Sequence, residues 1–243
     1  MAFEPKVAIV TGASRGIGRA TALALASRNI KVALAARSPE PLAAVETEIR
    51  ERSGSAIAIP TNVADAASVA SMVEHASREL GTIDLLVNNA GIVARSAVVD
   101  TDETTWDDVV DINLKSVFLC TKAVLPEMLE RGRGRIVNVS SISGTLGTPQ
   151  LSAYCASKWG LIGFTKATAE EVRGCGVHVF SVNPGSVNTE MLQQGRPGAK
   201  PDMEPEDVSN VIVYLATDAP EAMTGSADTA ALAGRRRAVR RPL

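Results

Sequence analysis

Lys6-Val7-Ala8-Ile9-Val10-Thr11-Gly12-Ala13-Ser14-Arg15-Gly16-Ile17-Gly18 begins as an apolar strand and breaks into a glycine-rich turn. From Gly16 to Arg28 the sequence turns rich in Ala and Leu, which predicts a helix. Glycines at a strand-to-helix junction let the backbone come close to a pyrophosphate, and the helix N-terminus attracts its charge. The spacing is G-x-x-x-G-x-G, not the more general G-x-G-x-x-G. A glycine-rich turn with no ligand is the plain alternative, but the strand-helix setting favours phosphate binding. Gly12, Ser14, Arg15, Gly16, Ile17 and Gly18 are therefore candidate cofactor-binding residues.

The same alternation continues outward from this unit. Further strands are expected at Lys31 to Ala36, Ser55 to Ile59, Ile83 to Val87, Arg135 to Val139 and Val177 to Val182. Between them lie helical patterns at Pro39 to Arg52, Ala66 to Leu80, Glu103 to Arg131 in two stretches, and Ser152 to about Gly174. Asp207 to Thr217 reads as a last amphipathic helix. Near-continuous apolar strands mean a parallel sheet covered on both faces. Right-handed crossovers then give a three-layer, doubly wound α/β fold of Rossmann type, with a central parallel sheet of six to seven strands. Ligands of such a sheet sit at the carboxyl ends of its strands.

Composition narrows the class of function. The 243 residues are 45% hydrophobic and 21% charged, ordinary for a soluble enzyme with a substantial core. A formal net charge of -2 points to neither nucleic acid nor an anionic membrane as partner. Cys120, Cys155 and Cys175 have no metal-ligand spacing, so no metal site is expected and the thiols read as reduced. Without a signal peptide or a run of membrane-spanning length, the expected location is the cytoplasm.

The end of the second strand bears on cofactor choice. An acidic residue there would accept hydrogen bonds from the adenosine ribose of NAD, but the chain reads Ala35-Ala36-Arg37-Ser38. Arg37 and Arg15 can form a cationic clamp for a 2′-phosphate, or can be ordinary surface arginines. The missing acid together with both arginines favours NADP(H) over NAD(H). Beyond the fifth strand, Ser140-Ser141 leads to a helix carrying Tyr154 and Lys158. Residues four apart share a helix face, so both can act on one bound molecule. An ammonium beside a phenol favours the phenolate and helps a tyrosine exchange protons near neutral pH.

Taken together, these motifs resemble those of the short-chain dehydrogenase/reductase family over nearly the whole chain, up to Gly225. Thr11, Gly12, Gly16 and Gly18 match its glycine motif, and Asn88-Asn89-Ala90-Gly91 its N-N-A-G motif, which puts Asn89, Ala90 and Gly91 along the cofactor. The resemblance implies a catalytic tetrad of Asn113, Ser141, Tyr154 and Lys158. Tyr154 would exchange the proton with the carbonyl oxygen, and Ser141 would hydrogen-bond that oxygen. Lys158 would lower the tyrosine pKa and hold the nicotinamide ribose, and Asn113 would position a water feeding Lys158. Asn183-Pro184-Gly185 matches the motif after the sixth strand, with Pro184, Gly185, Val187 and Thr189 beside the nicotinamide. Where many relatives have Asp-Val after the third strand this chain has Asn62-Val63, whose adenine contact is expected to survive with altered geometry.

The implied activity is interconversion of a ketone and a secondary alcohol by hydride transfer, closest in pattern to 3-oxoacyl-carrier-protein reductases. A catalytically silent dinucleotide-binding protein and an NAD-dependent sugar-alcohol or hydroxysteroid dehydrogenase are the alternatives. Asn188 to Glu204 should form an irregular polar lid, and Thr145, Leu146, Pro149 and Leu151 the pocket wall. The substrate is a small molecule. A homodimer or homotetramer is expected, joined through the helices carrying Leu114, Val117, Phe118, Trp159, Phe164 and Ala167. A single domain over 1–234 should end in a mobile tail at 235–243, because five arginines within Arg235 to Arg241 repel one another. The seventh strand should be short or missing, since Asp228-Thr229-Ala230-Ala231 are poor strand formers.

Overall fold

The computed structural model describes residues 3–228. Along β1 (Val7–Thr11) every side chain is buried, and alternate residues enter different cores. Ala8 and Val10 pack with Leu25 of α1 (Gly16–Ala26), Leu42 of α2 (Pro39–Glu51) and Ile212 of α8 (Pro205–Thr217). Val7 and Ile9 pack on the other face with Met72 of α3 (Ala66–Leu80) and Val124 of α5 (Ser116–Glu130). A strand apolar on both faces can be covered only by two helical layers, hence the sandwich.

The sheet has the order β3-β2-β1-β4-β5-β6-β7 and every pairing is parallel. The other strands are β2 (Lys31–Ala36), β3 (Ala56–Pro60), β4 (Leu85–Asn88), β5 (Gly134–Val139), β6 (Val177–Val182) and β7 (Ala227–Asp228). The order reverses between β1 and β4, and there the connecting helices leave to opposite faces, which opens a crevice at the strands' carboxyl ends. The seventh strand is described over Ala227–Asp228, paired with Ser181 and Val182. Its further extent, the tail at 235–243, and with them the end of the expected 1–234 domain lie outside the described residues.

Local signals set the helix starts. Asp65 caps α3 by accepting from the Ser68 amide at 2.9 Å, and Asp102 caps α4 (Glu103–Val110) through the Thr105 amide at 2.7 Å. Glu204 and Asp207 form a reciprocal capping box on α8, with Pro205 in its first turn. Two expectations are corrected. Asn188 to Glu204 is not irregular throughout: α7 (Glu190–Gly195) forms inside it, because the Thr189 hydroxyl accepts from the Leu192 amide at 3.3 Å. Helix α6 (Ser152–Glu171) stops short of Gly174, which has φ +79° in the turn that leads into β6.

Two polar networks lie inside the core. Asn88 Nδ2 donates to Asn138 Oδ1 at 2.9 Å, and Asn138 Nδ2 to Thr165 Oγ1 at 2.9 Å, tying β4, β5 and α6. At the opposite end of the sheet, Asp84 accepts from the Lys6 amide at 2.7 Å and pairs with Arg131 at 2.9 Å.

Candidate active site

Gly12 ends β1 with φ +66°, the left-handed conformation that the sharp exit of the chain requires. A Cβ there would stand 2.9 Å from Ala90 Cα, and one on Gly18 would collide with the Gly12 carbonyl oxygen. The turn is thus packed to backbone distance against itself and the residues after β4. Asn89 locks it in place: its Nδ2 donates to the Thr11 and Gly12 carbonyls at 3.0 and 3.2 Å. The glycine turn and the amides at the start of α1 form a cradle of the kind a pyrophosphate needs.

The cradle is the middle of one cleft of about 860 Å³, at the upper end of the usual range for ligand sites, about 300–1,000 Å³. Gly12, Ser14, Arg15, Gly16 and Ile17 line its centre. Arg37, Asn62 and Val63 line one end, and Asn89, Ala90 and Gly91 the floor. Ser141, Tyr154, Lys158, Pro184, Gly185, Val187 and Thr189 line the other end. Eighteen of the twenty residues expected from sequence thus share this cleft. Gly18 and Asn113 do not line it. Gly18 supports the turn from beneath, and Asn113 is wholly buried behind the floor.

Asn113 lies in a π-helical turn, Asp111–Lys115, between α4 and α5. Its Oδ1 accepts from the Ile92 amide at 2.8 Å, and its Nδ2 donates to the Ile92 carbonyl at 2.9 Å and Ser157 Oγ at 3.1 Å. Both amide protons are therefore committed, one to the loop after β4 and the other to Ser157 on α6.

Ser141 follows β5 with extended backbone and caps a short 3₁₀ turn, its Oγ accepting from the Ser143 amide at 3.1 Å. With the oxygen so engaged, the hydroxyl proton is left to donate into the cleft. Lys158 stands one turn after Tyr154, its ammonium 5.7 Å from the phenol ring centre, and Nζ donates to the Val139 carbonyl at 2.9 Å. Ser140 Oγ donates to the Lys158 carbonyl at 3.0 Å, so the last residue of β5 and the one after it fix both ends of this lysine.

Sequence alone led to the expectation that the ammonium would lower the phenol pKa. Burial dominates both groups. It pushes the Tyr154 phenol up, partly offset by the Ser141 hydrogen bond, and pushes Lys158 down to about 8. Removal from water penalises each charged form, the phenolate and the ammonium alike.

Other expectations shift in position. Of the proposed wall residues only Leu151 lines the cleft. Thr145, Leu146 and Pro149 lie outside it, with Leu146 58% exposed. Asn62 Oδ1 accepts from the Ala64 amide at 3.2 Å, closing its own turn. Arg15 forms an ion pair with Glu190 at the start of α7, whereas Arg37 has no ion pair among the described residues. Sequence reasoning passed over Glu190 and Asn138. The signal for Glu190 was its place after a helix-capping threonine; for Asn138, a lone polar residue inside an apolar strand.

A doubly wound sheet with a glycine cradle at its switch point and a Ser-Tyr-Lys group beside it defines a nicotinamide-dinucleotide oxidoreductase. The chain belongs to the short chain dehydrogenase family, whose sequence model matches residues 6–200. It is 43% identical over 227 residues to a 3-oxoacyl-[acyl-carrier-protein] reductase of Synechocystis, covering 89% of this chain and 91% of that protein. The Escherichia coli protein of that name is 37% identical over 240 residues, covering 93% and 95%. A crystal structure of levodione reductase superposes with a TM-score of 0.88 at 29% identity, covering 93% of this chain and 95% of that one. The chain is accordingly an oxidoreductase that interconverts ketones and secondary alcohols. No helix among the described residues is long and apolar enough to cross a membrane.

Proposed function

We propose that the chain is an NADP(H)-preferring ketone reductase of the 3-oxoacyl type, working in the cytoplasm as a homo-oligomer. The observation that carries this reading is the charge of the cleft: Arg15 and Arg37 both line it, and Arg37, not a carboxylate, stands directly after β2. A guanidinium pair there suits a 2′-phosphate, whereas NAD would need an acceptor for its ribose hydroxyls. Names of relatives supply the substrate class, a 3-oxoacyl group on a carrier.

The bound nicotinamide would supply the hydride chemistry. The glycine cradle would hold the pyrophosphate, and Pro184, Gly185, Val187 and Thr189 the nicotinamide end. Tyr154, kept neutral by burial, would hand its proton to the carbonyl oxygen during reduction. Ser141 would donate to the same oxygen and stabilise its developing charge. Lys158, fixed by the Val139 carbonyl, would offer its remaining protons to the tyrosine and the ribose. Asn113 would act through Ile92 as a positioning residue for the cleft floor.

The test is turnover of an acetoacetyl or longer 3-oxoacyl thioester with NADPH and with NADH, alongside a keto sugar and a ketosteroid. The thioester with NADPH should give the largest kcat/KM. Preference for NADH, or for the sugar or steroid, would replace this reading. Arg37→Asp should move the preference towards NADH, since a carboxylate repels the 2′-phosphate and accepts from a ribose hydroxyl.

A further inference from the structure

Glu190 is the one carboxylate among the described residues lining the cleft, and it is spent on Arg15. Arg15 stands just before α1 with extended backbone, and it lines the cleft. Glu190 is the first residue of α7 and reaches the same guanidinium from the lid. Both side chains are about two-thirds exposed, at 68% and 67%, so the pair can exchange partners readily.

The far end of α7 is held separately. Arg95 Nη1 donates to the Gly195 carbonyl at 3.0 Å, and Gly195 is packed so closely on Val93 that a Cβ would stand 3.1 Å from its methyl. Thr189, just before Glu190, lies against Gly16, 3.2 Å from where a Cβ would be. The lid therefore rests on the body through contacts that do not need the ion pair. What the ion pair does engage is a cation already read as a ligand of the cofactor.

We infer that Glu190 is a specificity-determining residue: its carboxylate competes with the cofactor's 2′-phosphate for Arg15 and so holds down the preference for phosphorylated dinucleotides. This rests on the reading of Arg15 as part of a 2′-phosphate clamp. Two anions on one guanidinium either exclude each other or share it at a cost in mutual repulsion. In both cases the phosphate meets opposition that NADH, with no 2′-phosphate, does not. Arg37, without an ion pair among the described residues, gives the phosphate its uncontested contact.

The experiment measures Kd for NADPH and NADH by tryptophan fluorescence in wild type, Glu190→Gln, Glu190→Asp, Arg15→Met and the Arg15→Met/Glu190→Gln double variant. Glu190→Gln should tighten NADPH about two- to fivefold, the range of an exposed ion pair, and move NADH by less than about twofold. Glu190→Asp should keep the wild-type ratio. With Arg15→Met in place, adding Glu190→Gln should change NADPH binding no further. A Glu190→Gln protein whose NADPH:NADH ratio is unchanged or lower overturns the competition. Equal shifts for the two cofactors also overturn it, assigning Glu190 to lid packing. If Arg15→Met leaves NADPH binding unchanged, the clamp fails and the competition falls with it; a loss in Arg15→Met with an unchanged ratio in Glu190→Gln overturns the competition alone.

Discussion

Tyr154 and Lys158 show how one environment shifts two groups in opposite directions. Both are buried, so the phenol keeps its proton more firmly and the ammonium holds its proton less firmly than in water. Tyr154→Phe removes only the hydroxyl, so NADPH binding should stay within about twofold while kcat falls more than about tenfold, about 1.4 kcal/mol or more. Single-turnover kinetics would detect it, and a kcat within tenfold of wild type would remove Tyr154 from the proton-transfer role. Lys158 carries a stability signature as well. Below about pH 8 the folded and unfolded states both hold its proton, and the burial cost is present in full. From about 8 to 10.5 the folded protein has released the proton while the unfolded chain retains it, so this group's contribution to stability rises with pH. Lys158→Met should therefore be the more stable protein at pH 7, by an amount on the order of 3 kcal/mol that shrinks towards pH 10. Urea unfolding across that range checks it; a difference independent of pH would contradict it.

Among the elements, β5 bears the most on the site. It ends in the Ser140-Ser141 corner, its Val139 carbonyl holds Lys158, and its Asn138 bridges β4 to α6. The apolar run that made it legible as a strand gave no hint of that bridge, because a cross-strand partner is not encoded in the strand itself. Asn138→Leu has the right size for the core but leaves Asn88 Nδ2 without its 2.9 Å acceptor. A buried donor left unmatched costs about 1–3 kcal/mol, and the thermal midpoint should fall accordingly. A midpoint at or above wild type would show that Asn88 finds compensation in Thr121, 3.4 Å away. Helix α7 illustrates the opposite error. Its glycines and prolines pointed to an irregular lid, while Thr189-Glu190 already carried a helix start that propensity alone under-weighs.

For the whole molecule, the open question is assembly. Trp106 on α4, Phe118 on α5 and Trp159 on α6 are 40%, 44% and 54% exposed, on helices that pack near one another. Three large, exposed aromatics on neighbouring helices suit burial in an interface. Val117, expected there, is only 1% exposed and belongs to the core, so the apolar surface is narrower than the helix pattern implied. Sedimentation at micromolar concentration should give at least twice the chain mass of 25.4 kDa, and Trp159→Glu combined with Phe118→Glu should lower it. A monomeric wild type would rule out this assembly.

Sequence by itself determined the sheet, its parallel sense and the family, because periodicity, strand-end glycines and the N-N-A-G and Tyr-x-x-x-Lys spacings are local patterns read within a few residues. It also determined which residues would gather, since strand ends of a doubly wound sheet converge on one crevice. Only the tertiary structure decided what state they gather in. Whether burial or a neighbouring charge governs the Tyr154 proton, whether Arg15 is free or held by Glu190, and whether Asn113 faces the cleft or supports its floor all depend on groups far apart in the chain. Arg15 and Glu190 are 175 residues apart, a separation across which no pattern in sequence carries a distance or a dielectric.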